Sequence, residues 1–306
     1  MSSTTLRYAL VTPARNEAEN LRRLGACLRR QTCPPALWVV VDDGSTDETR
    51  AVVEVLAQQE TRIRLIDSPG VTAQAGALGD GRRQGRDVLA FNAGIAVVRE
   101  ELGAPDIVLK LDADVSLGED FFARLLAEFD ADPKLGIAGG SCFEREDGEW
   151  VRRHVTGSHV RGATRAYRWT CFEDVSPLEE QLGWDGIDEI KAVLHGWTTR
   201  SVYNLPFFHH RPLGAREGAR RSWESRGSTA HFMGYRPSYL LLRSLFQARR
   251  DPRALAMIWG YVRAVAAGAP QCADDRVRAY VRGQQSLSRL PMRLREALGR
   301  VDATAA

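Results

Sequence analysis

Between residues 6 and 130 the chain alternates short β-branched runs with segments of helical period, and few architectures accommodate that rhythm. Tyr8 to Thr12 precedes Leu21, Leu24 and Leu28 at helical spacing, and Leu37 to Val41 precedes Val52, Val53 and Leu56. Ile63 to Ile66 and Ile107 to Leu111 predict two further strands, with helices around 86–102 and 118–130. Strands joined through helices must be mainly parallel, and ligands of such sheets bind at the carboxyl ends of the strands. The class implied is α/β, a Rossmann-like sheet flanked by helices.

Acidic clusters stand at those ends. Asp42-Asp43-Gly44-Ser45-Thr46-Asp47 follows Leu37 to Val41, and Asp112-Ala113-Asp114 follows Ile107 to Leu111. Taken singly, an Asp pair after a strand is ordinary turn or cap chemistry. Two clusters placed alike in one sheet point further: carboxylates at i and i+2 can share one hard cation whose remaining positions take phosphate and water. That describes a site for a nucleotide-activated substrate. The stretch from Pro69 to Arg86 has no apolar period and reads as a mobile loop beside the site or as a plain linker. Beyond it the rhythm changes, because Asp147-Gly148 between Cys142-Phe143 and Trp150-Val151 predicts a β-hairpin.

The 306 residues, 44% apolar, suffice for one large domain with an extension. Cys27, Cys33, Cys142, Cys171 and Cys272 lack metal-finger spacing, and Met1 to Leu6 lacks the basic and apolar regions of an export signal. A cytoplasmic protein with reduced thiols is expected. The net charge of +3 conceals an asymmetry, since residues 211–306 hold 18 Arg against 7 acids. Clustered Arg among Trp, Tyr and Leu is either a solvated face or suited to an anionic membrane surface or polyanionic acceptor. The run Leu255 to Ala267 is shorter than the roughly 20 residues a span needs, and Arg263 interrupts it. Over residues 236–268 both a packed helical pair and a segment lying on a membrane fit the pattern.

Four clusters, Thr12-Pro13-Ala14-Arg15-Asn16-Glu17, Asp42-Asp43-Gly44-Ser45, Asp112-Ala113-Asp114 and Gly183-Trp184-Asp185-Gly186-Ile187-Asp188-Glu189, in this order resemble the family 2 glycosyltransferases. The resemblance covers about residues 7–212 and implies the GT-A fold for a domain at 1–212, leaving 213–306 as a helical, basic C-terminal extension. It implies that Pro13, Arg15 and Glu17 line a nucleoside pocket and that Asp43 accepts a hydrogen bond from the base. Asp112 and Asp114 correspond to the DXD pair that holds Mg²⁺ or Mn²⁺ on the diphosphate, with Asp114 the main ligand and Asp112 beside it or on the ribose. Some relatives add a late His, which implies His209 or His210 as a third ligand, and only one of two neighbours can face the site. Arg211 suits the diphosphate or is a surface charge. Asn16 and Glu17 equally fit caps of the first helix. Asn92 and Gly94 match a family helix beneath the donor, where small residues permit close approach.

An inverting transfer needs a base to take the proton of the acceptor hydroxyl. The resemblance places it at the start of a late helix, here with Asp188 as first choice. Counting back from Gly196-Trp197 favours Asp185, the second choice. As a purely structural alternative, Asp185 caps the helix with Asp188 at its third position. Arg165 and Arg168 are candidates for an anionic acceptor. The expected function is inverting transfer of a sugar from a nucleotide-diphospho-sugar to a saccharide or lipid-linked acceptor at the inner face of a membrane, with no nucleic-acid partner. Rival readings are a nucleotidyltransferase, disfavoured because Pro13 to Glu17 contains no glycine, and a noncatalytic membrane- or polysaccharide-binding module, disfavoured by the intact acidic set.

Overall fold

The structure, a computed structural model, describes residues 6–69, 85–154, 159–211, 218–289, 291, 292 and 295. Strands β1 (Tyr8–Ala14), β2 (Leu37–Asp42), β3 (Ile63–Asp67) and β4 (Ile107–Leu111) are parallel neighbours. β2 and β4 are buried along their whole length, which is why they read as unbroken apolar runs. Leu10, Val40 and Leu109 face helices α1 (Ala18–Arg29) and α2 (Thr49–Gln59), packing on Leu21, Leu24, Val53 and Leu56. Val11, Val39, Val41 and Val108 face the other way, onto Val88, Phe91, Ile95 and Val98 of α3 (Arg86–Leu102). Gly94 sets the closeness of that second layer: a Cβ there would stand 2.3 Å from Val11 Cγ1 and 3.2 Å from Val41 Cγ2. Most of the expected loop between Pro69 and Arg86 lies outside the described residues.

The second half abandons parallel order. It runs β5 (Val115–Leu117), α4 (Phe121–Ala131), β6 (Leu135–Glu146), β7 (Glu149–Arg152), β8 (Thr164–Arg168), α5 (Trp169–Val175), α6 (Trp184–Leu194) and β9 (Thr198–His209). Among the described residues one sheet forms in the order β3-β2-β1-β4-β8-β6-β9-β5, with β7 paired to β6. β8 is antiparallel to both β4 and β6, whereas β6 and β9 are parallel. Asp147 and Gly148, at φ 50° and 89°, make the tight turn of the expected β6–β7 hairpin.

The extension comprises α7 (Ala219–Phe232), α8 (Pro237–Ala248), α9 (Ala256–Ala266) and α10 (Asp275–Gln284). The expected boundary at 212/213 falls outside the described residues. α7 and α9 cross with their backbones in contact: a Cβ on Gly227 would lie 2.0 Å from the carbonyl oxygen of Met257, and one on Gly260 would lie 2.0 Å from that of Glu224. Phe232, Cys272 and Val277 of the extension close over Ile187, so the extension docks on α6. α8 and α9 bury one face each, through Leu240 and Ser244 and through Met257, Gly260 and Ala264. No helix among the described residues is long and apolar enough to cross a membrane. Gly227→Ala is expected to lower unfolding stability in urea by about 1–3 kcal/mol, because its methyl meets main chain that cannot rotate away. An unchanged midpoint would contradict that crossing.

Candidate active site

The turns after β1 and β2 are laced together. Asn16, at φ 54°, takes the N–H of Thr46 on its side-chain oxygen at 2.8 Å, while its own N–H donates to Ser45 Oγ at 3.0 Å. The Glu17 N–H donates to Thr49 Oγ1 at 2.8 Å. Neither side chain caps α1, so the capping alternative is not what this turn uses. Asn16 is instead the tie between two strand ends, which its tolerance of left-handed backbone makes possible.

Glu17 is freed for the site. Arg211, just past β9, grips it with both arms at 2.7 and 2.8 Å and approaches Asp114 Oδ2 at 3.4 Å. Asp43 is buried and held by the fork of Arg86, which stays cationic through the hydrogen bonds it donates to that carboxylate, against the cost of burial. Pro13 and Arg15, both half-buried, sit at the end of β1 and in the turn that follows.

Asp112 and Asp114 leave β4 together. Val115 of β5 pairs with His209 of β9, which brings the late histidine across to the acids. His209 Nε2 stands 3.1 Å from Asp114 Oδ1. Ligand atoms of Asp112, Asp114 and His209 all lie within 4.8 Å of one another. Two carboxylates and one imidazole fit a divalent cation that takes mainly oxygen ligands, such as Mn²⁺ or Mg²⁺. Burial lowers the His209 pKa, but hydrogen bonding with Asp114, Cys142 and Glu144 outweighs it and the pKa is raised to about 11. An imidazole ligates only in its neutral form, so a metal bound here would take the place of that proton. Its neighbour His210 turns to the opposite side, against the Trp150 ring at 5.4 Å and Ser116, outside the acidic group.

Asp188, the first-choice base, is 1% exposed, and both its oxygens are engaged. Oδ1 accepts from Arg165 at 2.7 Å and from the Glu189 N–H at 2.6 Å; Oδ2 accepts from Arg165 Nε at 2.9 Å and from the Tyr167 hydroxyl at 2.5 Å. Burial pushes its carboxyl up to about 6 against the pull of Arg165, whose own charge is secured by Asp188. Asp185 is one turn earlier and half-buried. Its Oδ2 lies 3.8 Å from where a Gly162 Cβ would be, and the next residue, Ala163, accepts the Asp112 N–H at 2.9 Å. One short loop thus separates Asp185 from the acidic pair. The cap of α6 is Gly183, in left-handed conformation, so Asp185 is not the cap.

Arg165 and Arg168 are not placed to meet an acceptor. Arg165 is fully buried, and Arg168 donates to the carbonyls of Phe129, Leu135 and Asp132. Three further residues belong to the site. Lys110 is 2% exposed and hydrogen-bonds Asp112 beneath the Trp184 ring, Arg86 holds Asp43, and Glu144 lies 3.9 Å from His209 Nδ1 between Arg153 and Arg161. A lone Lys in an otherwise apolar strand was the available signal for Lys110. Glu144 sits in a strand ending Glu-Arg-Glu and offers no local cue.

Residues 9–87 match the model of glycosyl transferase family 2. Over that stretch the chain is similar to the family 2 glycosyltransferases, and its fold is GT-A. Its sequence is 30% identical over 127 residues to the succinoglycan biosynthesis protein ExoA of Rhizobium meliloti, covering 41% of this chain and 33% of that one. It is 26% identical over 260 residues to the β-monoglucosyldiacylglycerol synthase of Synechocystis, covering 73% and 50%. The chain thus spans a third to a half of the length of these curated relatives. Among solved structures, the mannosyltransferase PcManGT of Pyrobaculum calidifontis, in complex with GDP-Man and Mn²⁺, is similar with TM-score 0.53 at 17% identity, over 97% of this chain and 87% of that one. That likeness carries the fold.

Asp188→Ala is expected to cost about 3–5 kcal/mol of unfolding stability, since it strands the Arg165 charge in the interior. Full stability combined with lost turnover would instead return Asp188 to the position of base.

Proposed function

We propose that the chain transfers a sugar from a nucleotide-diphospho-sugar to an acceptor hydroxyl with inversion. The observation that carries this is the convergence of Asp112, Asp114 and His209 at strand ends whose neighbouring turns present Glu17 and Asp43.

In this reading Pro13, Arg15, Glu17 and Asp43 surround the nucleoside, with Asp43 exchanging Arg86 for the edge of the base. Asp112, Asp114 and His209 hold Mn²⁺ or Mg²⁺. When bound, the cation offsets the charge that builds on the departing nucleoside diphosphate. Arg211 and Lys110 add fixed positive charge on the same side. For the base we place Asp185 ahead of Asp188, because every acceptor position of Asp188 is already engaged. The Asp185 carboxylate takes the proton of the acceptor hydroxyl as that oxygen bonds the anomeric carbon. The bond from that carbon to the diphosphate breaks on the opposite face. Gly162 lets its loop come close to Asp185 and Trp184, since a Cβ there would already touch the indole at 3.4 Å.

The acceptor we propose is a saccharide or a lipid, in keeping with relatives named for succinoglycan biosynthesis and for monoglucosyldiacylglycerol synthesis. The five free cysteines are in keeping with a reducing, cytoplasmic setting.

Thermal shift with UDP, GDP and dTDP, with and without Mn²⁺, should show one nucleotide stabilising the protein only with metal, by roughly 2.7 kcal/mol at a hundredfold excess over its dissociation constant. Asp114→Asn should erase that shift. Asp185→Asn should keep it while lowering transfer at least about a hundredfold, since a general base contributes typically 10² to 10⁴. No metal-dependent shift with any nucleotide would overturn the reading.

A further inference from the structure

The extension carries apolar surface that its own packing does not use. α8 buries Leu240 and Ser244 and turns Leu241, Leu242 and Leu245 to solvent, Leu242 being 51% exposed. α9 buries Met257, Gly260 and Ala264 and turns out Trp259, Val262 and Val265, with Trp259 57% exposed. A helix apolar on all sides is normally buried on all sides. Here two such helices pack on each other and on α7 through their inner faces, closing around Ala230, Leu240 and Met257. Their outer stripes meet no cover among the described residues.

The charges around these stripes are predominantly positive, with Asp251 the acid set among four arginines. Arg249 and Arg250 end α8, Arg253 opens the turn into α9, and Arg263 lies on α9; all four are exposed. Arg249 stacks its guanidinium 4.2 Å from the Phe246 ring centroid, leaving its charge at the edge of an apolar surface. Arg253 has a carboxylate partner within its own turn, Asp251 at 2.8 Å, and among the described residues the other three make no ion pair. A second copy of this face would set arginine against arginine. An anionic bilayer offers both things the surface lacks, lipid chains for the stripes and negative headgroups for the rim.

We propose that the outer faces of α8 and α9 form a monotopic docking surface for anionic lipid bilayers. The helices lie in the headgroup region with Trp259 and the leucines directed inward, and the rim arginines meet phosphate. Because α10 and Phe232 also pack on Ile187 of α6, the helix that carries Asp185, this surface would hold the proposed site near the membrane plane. The docking itself does not depend on the sugar-transfer reading, and neither does its test.

Full-length protein should cosediment with phosphatidylglycerol-rich vesicles at low salt, weakly at high salt, and not with phosphatidylcholine vesicles. Arg249→Glu combined with Arg250→Glu should weaken binding by at least about tenfold, given that each basic residue near the surface is worth about fivefold. Leu242→Ser with Trp259→Ser should weaken it at every salt concentration while leaving thermal unfolding unchanged, because both positions are exposed. Binding unchanged in both variants, or absent for the wild type, would overturn the proposal. So would a concentration-dependent dimer that the Leu242/Trp259 variant abolishes without wild-type vesicle binding, which would assign the face to a second copy.

Discussion

A guanidinium shut away from water holds the second half of the molecule together. Arg165 projects from β8 and is satisfied by Asp188 and Glu189, the carbonyl of Asp185 and that of Val160. Burying these charges is costly in isolation, and it is sustained only because nearly every donor and acceptor finds a partner in good geometry. The contact fixes α6 against an antiparallel strand that is itself paired with β4. The first turn of α6, with Trp184 and Asp185, is thereby brought over Lys110 and beside the loop that receives Asp112. The extension depends on the same helix, since its apolar contact to the rest of the chain includes Ile187.

Around the acids a second pattern repeats. Asp43 is matched by Arg86, Glu17 by Arg211, Asp112 by Lys110, and Asp114 by His209 with Arg211 at its other oxygen. Four carboxylates converging at strand ends would repel one another without such partners. The same cations mark out where the phosphates and metal of a donor would have to compete, so an ordered site and an exchangeable one are made from the same groups. Glu144, itself held by two arginines, closes the set behind His209.

Much of the first half was legible from residue pattern. Double-sided burial makes β2 and β4 continuous apolar runs, and helices that cover one face of a sheet show a 3.6 period, so Leu37–Val41, Ile107–Leu111 and helix 86–102 are visible in one dimension. The acidic clusters were legible because strands in a buried parallel sheet can become polar only at their ends. The antiparallel entry of β8 was not visible, since strand direction leaves no trace in composition. Nor was the burial of Arg165, which reads like any surface arginine until its partners 20 to 24 positions later are folded against it.

The sequence by itself determined an α/β sheet with carboxylates at its mouth, a hairpin at Asp147-Gly148, and a basic, partly apolar tail. Tertiary structure alone separated neighbours that the sequence leaves equivalent. His209 faces the acids and His210 faces Trp150 because β9 pairs with β5 in one register, and alternate residues of a strand point to opposite sides. Asp185 and Asp188, one turn apart, lie within about 60° of one another around the helix, and what separates them is Arg165, which takes the Asp188 carboxylate but only the backbone carbonyl of Asp185, leaving the Asp185 side chain toward Gly162. Among the leucines of α8, Leu240 is buried because it closes on Ala230 of α7 and Met257 of α9.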